Sequence, residues 1–187
     1  MASVTQTAAT LDDLQRVNGK AELVAGRIVH LMPTGYLPNR RAAARIYRSL
    51  DDHTEATGLG NAFTDNMGFG VPELSSGRQS FSPDASYCLG PLPQNEMDFV
   101  IGPPTFAVKV RSKGDYGDSA EAAMAAERAD YFEAGTAVVW DVDPQAKLIR
   151  SYAAAAPFRP TVFGAGQISD AEPAIPGWRV PVDRIFA

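Results

Sequence analysis

The chain has 187 residues, 45% of them apolar and 21% charged, and a formal net charge of −5; this is the make-up of a globular protein with a sizeable core, and an acidic chain gains no long-range attraction to nucleic acid. No stretch reaches the roughly 18 uninterrupted apolar residues of a membrane helix, and the polar start, Met1 to Thr10, lacks the basic flank and apolar centre of a secretory leader. One cysteine, Cys88, excludes an internal disulfide and fits a cytoplasmic, reducing setting; it reads as a buried structural thiol.

In chain order, the first nine residues are expected to be frayed. Thr10-Leu11-Asp12-Asp13 has the spacing of a capping box, and a short helix to about Val17 should follow, ended by Asn18-Gly19. A hairpin comes next: Glu22 to Val24, a turn at Ala25-Gly26, then Arg27 to Leu31. His30 has no second His or Cys at ligand spacing. From about Asn39 to Thr57 the apolar residues Ala43, Ile46, Tyr47 and Leu50 recur at helical steps, with a stop at Gly58. That helix carries Arg40, Arg41, Arg45 and Arg48, either a solvated face or a phosphate-contacting one. Strands are expected over Ala62–Val71 and Ser80–Leu89. Pro83 interrupts the second, where Asp84 could be held at a strand's start.

A Pro- and Gly-rich loop spans Gly90 to Pro104. The strand after it, Phe106 to Ser112, sets Phe106, Val108 and Val110 on one face and Ala107, Lys109 and Arg111 on the other. Asp118-Ser119-Ala120-Glu121 offers a second capping box for a helix to about Ala134. Its apolar stripe (Ala120, Met124, Tyr131, Ala134) is interrupted by Glu127. Ala137 to Asp143 reads as an apolar strand, Leu148 to Ala153 as its hairpin partner, and Thr161–Phe163 and Arg179–Val180 as short strands. The order gives an α/β or α+β sandwich around a mixed sheet, with a right-handed parallel crossover from Thr105 to Asp143.

Four polar positions fall where the pattern asks for apolar or half-buried residues: Glu22, Asp84, Lys109 and Glu127. Carboxylates with a lysine are what metal-assisted phosphodiester hydrolysis needs. Carboxylate oxygens suit Mg²⁺ or Mn²⁺, and the lysine can hold water or steady the charged phosphorus.

Glu22-Leu23-Val24-Ala25-Gly26-Arg27-Ile28-Val29, Pro33-Thr34-Gly35, Pro83-Asp84, Val108-Lys109-Val110-Arg111-Ser112 with Asp115-Tyr116, and Arg128 to Thr136 running into Val139-Trp140-Asp141-Val142-Asp143-Pro144 together resemble the Uma-two family, itself similar to the PD-(D/E)XK restriction endonucleases. The resemblance covers about Leu11 to Val142. It implies a single domain over 1–187: a restriction-endonuclease-like mixed sheet flanked by helices, with an N-terminal hairpin and added C-terminal strands. It also implies a Mg or Mn nuclease site, with Glu22, Asp84, Lys109 and Glu127 as catalytic positions and Glu22, Asp84 and Glu127 as metal ligands. Nucleic acid is the implied partner, with weak contacts expected from Arg40, Arg41, Arg45 and Arg111, and a homodimer is plausible.

The central strand departs from the family pattern. Where the family has Glu-Val-x-Ser, this chain has Lys109-Val110-Arg111-Ser112. Where the family has a lysine on the following helix, this chain has Glu127, and Asn39 replaces a usual histidine. Two charges of opposite sign are exchanged. Three readings stay open: a neutral buried pair in a dead or weakened site, a rearranged site in which Glu127 reaches the metal from the helix, or an unrelated structural pair. A non-catalytic binding domain on the same fold is the alternative to a nuclease.

Overall fold

A computed structural model describes residues 8–187, without the side chains of Asn39 and Arg40. Most of the expected frayed start lies outside the described residues, but Ala9 is tied down, its N–H donating to the Gly26 carbonyl at 2.9 Å. Helix α1 (Leu11–Gln15) has the predicted capping box, closed by Thr10 and Asp13. Strands β1 (Ala21–Val24) and β2 (Arg27–His30) form the predicted hairpin. Its two-residue turn has positive φ at both Ala25 and Gly26, as a type I′ connection requires. A Cβ at residue 26 would stand 2.7 Å from the Cβ of Ala8, so glycine is needed there twice over.

The Arg-rich helix begins as π-helical turns over Leu37–Ala43 and continues as α2 (Ala44–Thr57), with Gly58 in the left-handed conformation as its stop. The expected strand Ala62–Val71 is two: β3 (Asn61–Thr64) and β4 (Phe69–Gly70). The chain turns between them, Asn66 having φ of 76°. Likewise Ser80–Leu89 is split at Pro83 into β5 (Ser80–Phe81) and β6 (Ala85–Cys88). The loop Gly90–Pro104 contains a short strand, β7 (Val100–Ile101). The central strand is β8 (Phe106–Val110), followed by α3 (Asp118–Ala134), β9 (Val138–Asp143), β10 (Leu148–Ala153) and β11 (Thr161–Phe163). The sequence reading missed β12 (Ile168–Asp170), which pairs with β13 (Arg179–Pro181), and the final helix α4 (Val182–Phe186).

The main sheet has the order β11-β10-β9-β8-β6-β3, with β8 and β9 parallel and the other pairs antiparallel. A small sheet, β5-β4-β7, and the β1-β2 hairpin stand beside it. The two-residue alternation of β8 divides the core as expected. Phe106, Val108 and Val110 join Trp140, Ile46, Leu50, Trp178 and Ile185 on the α2 and α4 side. Ala107 joins Val139, Tyr131, Phe69 and Phe81 on the α3 side. Cys88 is buried and unpaired.

Helix α3 starts one residue earlier than a capping box at Asp118 needs. Gly117 is its N-cap and no side chain closes it. Glu121, the expected reciprocal cap, is drawn instead to Arg111. Ala120, Met124, Glu127, Tyr131 and Ala134 all face inward, as the stripe predicts. Among the described residues no helix is long and apolar enough to cross a membrane.

Candidate functional site

Lys109 stands on β8 in register with Asp141 of β9, and both belong to the face that α3 covers. Glu127 descends from α3 onto the same place. The Lys109 ammonium and a Glu127 carboxylate oxygen are 3.6 Å apart, with the side chains 26% and 18% exposed. Glu127, more than any other group, holds the Lys109 pKa above its ordinary value, against the opposing effect of burial. Lys109 and Glu127 are therefore ion-pair partners. They line one end of an open cleft of ≈ 360 Å³ between α3 and the loop at 114–116.

Asp84 sits where Pro83 has ended strand pairing. Its N–H donates to the Val108 carbonyl at 3.0 Å, and its Oδ2 accepts the Val110 N–H at 2.7 Å. The carboxylate thus replaces a backbone acceptor at the end of the β6–β8 ladder. Its Oδ1 accepts from Lys20, 3.2 Å away, which also pairs with Asp65. Glu22 projects from the hairpin into the same region. Its Oε1 accepts the Ser82 N–H at 2.9 Å and its Oε2 pairs with Arg78, which donates to Asp130 at 2.9 Å. Tyr131 completes the floor, stacked on Phe81 with ring centroids 4.0 Å apart, and burial pushes its phenol well above its usual range.

Glu22 accepts from Ser82, two residues before Asp84, and Asp84 bonds to Val108 and Val110 on either side of Lys109. Lys20, Asp65, Arg78 and Asp130 escaped the sequence reading. Lys20 lies in the bend before β1 and Arg78 in an isolated bridge to Val24, places where a charged residue carries no local signal. Asp130 could have been found, because it lies one helical step beyond Glu127.

The fit of a divalent metal can be judged from the donors. A metal needs carboxylate lone pairs aimed at one point and clear of competing cations. Here both oxygens of Glu22 and both of Asp84 accept from protein donors, and three cations (Lys20, Arg78, Lys109) stand among the carboxylates. Among the described residues no three His, Cys, Asp or Glu side chains form a group able to hold a metal ion. The expected set of Glu22, Asp84 and Glu127 does not fit Mg²⁺ or Mn²⁺ in this arrangement.

The arginines separate. Arg111 is corrected outright as a nucleic-acid contact. It is 3% exposed, its Nε and Nη2 donate to Asp141 at 2.7 and 2.6 Å, and Glu121 takes the rest. Arg45 donates to the Arg184 carbonyl at the end of α4, and Arg41 lies over the Tyr36 ring, 5.6 Å from its centroid. The expectation for Arg40 falls on a side chain outside the described residues.

A family model described as "Putative restriction endonuclease", Uma2, matches residues 8–183. The chain belongs to the Uma2 family. A solved structure described as a putative nuclease belonging to DUF820, from Anabaena variabilis, shares this fold with a TM-score of 0.71 and 17% identity, covering 95% of this chain and 97% of the other. No curated protein matches the chain.

Glu22 carries a pH dependence. Burial first, and the nearby Glu127 second, raise its pKa above the ordinary 4.5, against the opposing pull of Arg78. Between the ordinary and the raised value the folded chain holds more protons than the unfolded one. The stability contributed by this group is therefore full below about 4.5 and is lost as pH rises through the folded value. In urea unfolding, the margin of the native chain over Glu22→Gln is expected to shrink between pH 4.5 and neutrality. A margin that widens with pH would contradict this reading.

Proposed function

We propose that this chain is a nucleic-acid-binding protein on a nuclease fold whose metal-dependent hydrolysis has been lost. One observation supports the second half: the Lys109–Glu127 ion pair at 3.6 Å holds an ammonium at the strand position for which the resemblance to the family implies a metal-ligating carboxylate. An ammonium cannot ligate, and it repels a divalent cation at the distances ligation needs. The engaged oxygens of Glu22 and Asp84 support the same reading. The first half is supported by the nucleases named in the family description and for the neighbouring structure.

The competing reading is a rearranged metal nuclease in which Glu127 serves as ligand from the helix. Calorimetric titration of Mn²⁺ into the purified chain separates the two, with Asp84→Ala as control and cleavage of plasmid and single-stranded DNA assayed alongside. No saturable heat and no Mn²⁺-stimulated cleavage are expected. Saturable heat that disappears in Asp84→Ala would establish a metal site at Asp84 and end the proposal. In the Lys109→Glu/Glu127→Lys double variant, which returns both charges to the family pattern, Mn²⁺ binding is expected to appear.

A further inference from the structure

Beside the cleft lies a second hollow, of ≈ 290 Å³, and Tyr116 lines both. One wall comes from the chain entering the π-helical turns, at Tyr36 and Leu37; the other comes from the loop after β8, at Lys113 and Tyr116. Tyr36 is 61% exposed, with Arg41 over its ring 5.6 Å from the centroid, and Leu37 is 45% exposed, so large apolar surface still stands at its rim. Tyr116 is fixed in place. Its hydroxyl donates to Asp143 Oδ1 at 3.0 Å, and the Arg111 guanidinium lies 5.7 Å from its ring centroid. Arg111 is itself locked by Asp141. The aromatic wall is therefore pre-organised, with little side-chain freedom left to lose on binding. Lys113 is exposed and pairs with no carboxylate among the described residues.

Aromatic rings with an unpaired cation beside them make a stacking platform for a base and its phosphate. We infer that this hollow is a nucleobase subsite, and that the nucleic acid taken by the adjacent cleft is single-stranded. The inference rests on the nucleic-acid reading above and narrows it. Two physical arguments select the single strand. A base in a duplex must first be unstacked and unpaired before it can enter a recess, whereas a single strand offers free bases. Duplex affinity also comes mainly from many phosphates neutralised together, and a chain of net charge −5 with Arg111 buried and Arg45 engaged elsewhere is poorly equipped for that.

The test is fluorescence anisotropy of the full chain with a short labelled oligothymidylate and with a duplex of equal length, at low and moderate salt. The single strand is expected to bind about tenfold more tightly than the duplex, and Tyr36→Ala to weaken it on the order of tenfold. Tyr116→Leu is expected to do the same and Tyr116→Phe to cost only about two- to threefold, because the stacking ring is kept and only its anchor to Asp143 is lost. Tyr36 is an exposed side chain, so its removal tests the subsite even if Tyr116→Leu fails to fold. Equal or tighter binding of the duplex would overturn this inference and leave nucleic-acid binding standing. An unchanged affinity in Tyr36→Ala would also overturn it. Retention of neither nucleic acid would overturn both.

Discussion

Lys109→Glu is expected to lower the thermal midpoint by roughly 6–12 °C, the equivalent of about 3 kcal/mol in a domain of this size. The figure is the low end of what breaking a buried pair costs, because a quarter of the Lys109 side chain still meets water. The substitution sets a carboxylate beside Glu127 and near Asp84 and Glu22, the groups whose charges hold the lysine in its protonated form. Glu127→Lys is expected to cost a similar amount by placing a second cation against Lys109 and near Arg78. The double variant should lie within about 1 kcal/mol of the native chain, a coupling far outside the additivity of independent sites. Differential scanning calorimetry of the four proteins closes the cycle. If the double variant shows the sum of the two single losses, the residues are not partners and the exchange loses its physical basis.

The other large effect belongs to Arg111. Its guanidinium makes two near-parallel bonds to Asp141, whose side chain is 5% exposed. Arg111→Met is expected to cost about 3–5 kcal/mol, nearly all of it the stranded Asp141 charge. Arg111→Met combined with Asp141→Leu should recover most of the loss, since an apolar pair of similar volume replaces a buried ion pair at little cost. Glu121, half in water, then returns to solvent. Denaturant midpoints decide the matter. A loss under about 1 kcal/mol in Arg111→Met would show that the buried pair is energetically idle.

What the sequence made visible follows from short-range rules. Period two along β8 puts Lys109 on the face of Ala107, and the 3.6 period of α3 puts Glu127 on the face of Met124 and Tyr131. Two independent periodicities therefore set the two charges on facing surfaces, and the contact that the resemblance offered as one open reading is present at 3.6 Å. Pro83 predicted that Asp84 would stand at a strand's start, where it now is. The same alternation misled the reading of Arg111. It correctly leaves the Val108 face, but its fate depends on Asp141 in the neighbouring strand, and the register of two parallel strands joined by a helix is set by the whole packing. Glu121 shows the complementary case: its spacing fits a capping box, and a buried arginine outcompetes an exposed backbone N–H for its carboxylate. Strand β12 lies in a Pro- and Gly-rich tail with no sustained period, so nothing local announced it, although its partner β13 was legible at Arg179–Val180.

Helix α3 buries few apolar side chains, chiefly Met124 and Tyr131. It is fastened at 121, 127, 130 and 133 by Arg111, Lys109, Arg78 and Ser75, with Arg128 lying over the Tyr152 ring. The larger apolar core, of Trp, Phe, Val and Ile, is packed on the opposite side of the sheet. Added salt screens the half-exposed Arg111–Glu121 pair most and the more buried Lys109–Glu127 and Arg78–Asp130 pairs much less, and strongly hydrated anions such as sulfate strengthen the apolar packing. The first turn of α3 and the centre of the protein thus answer to ionic strength with opposite sign. The saline medium that firms the body of the protein loosens the start of the helix above its cleft.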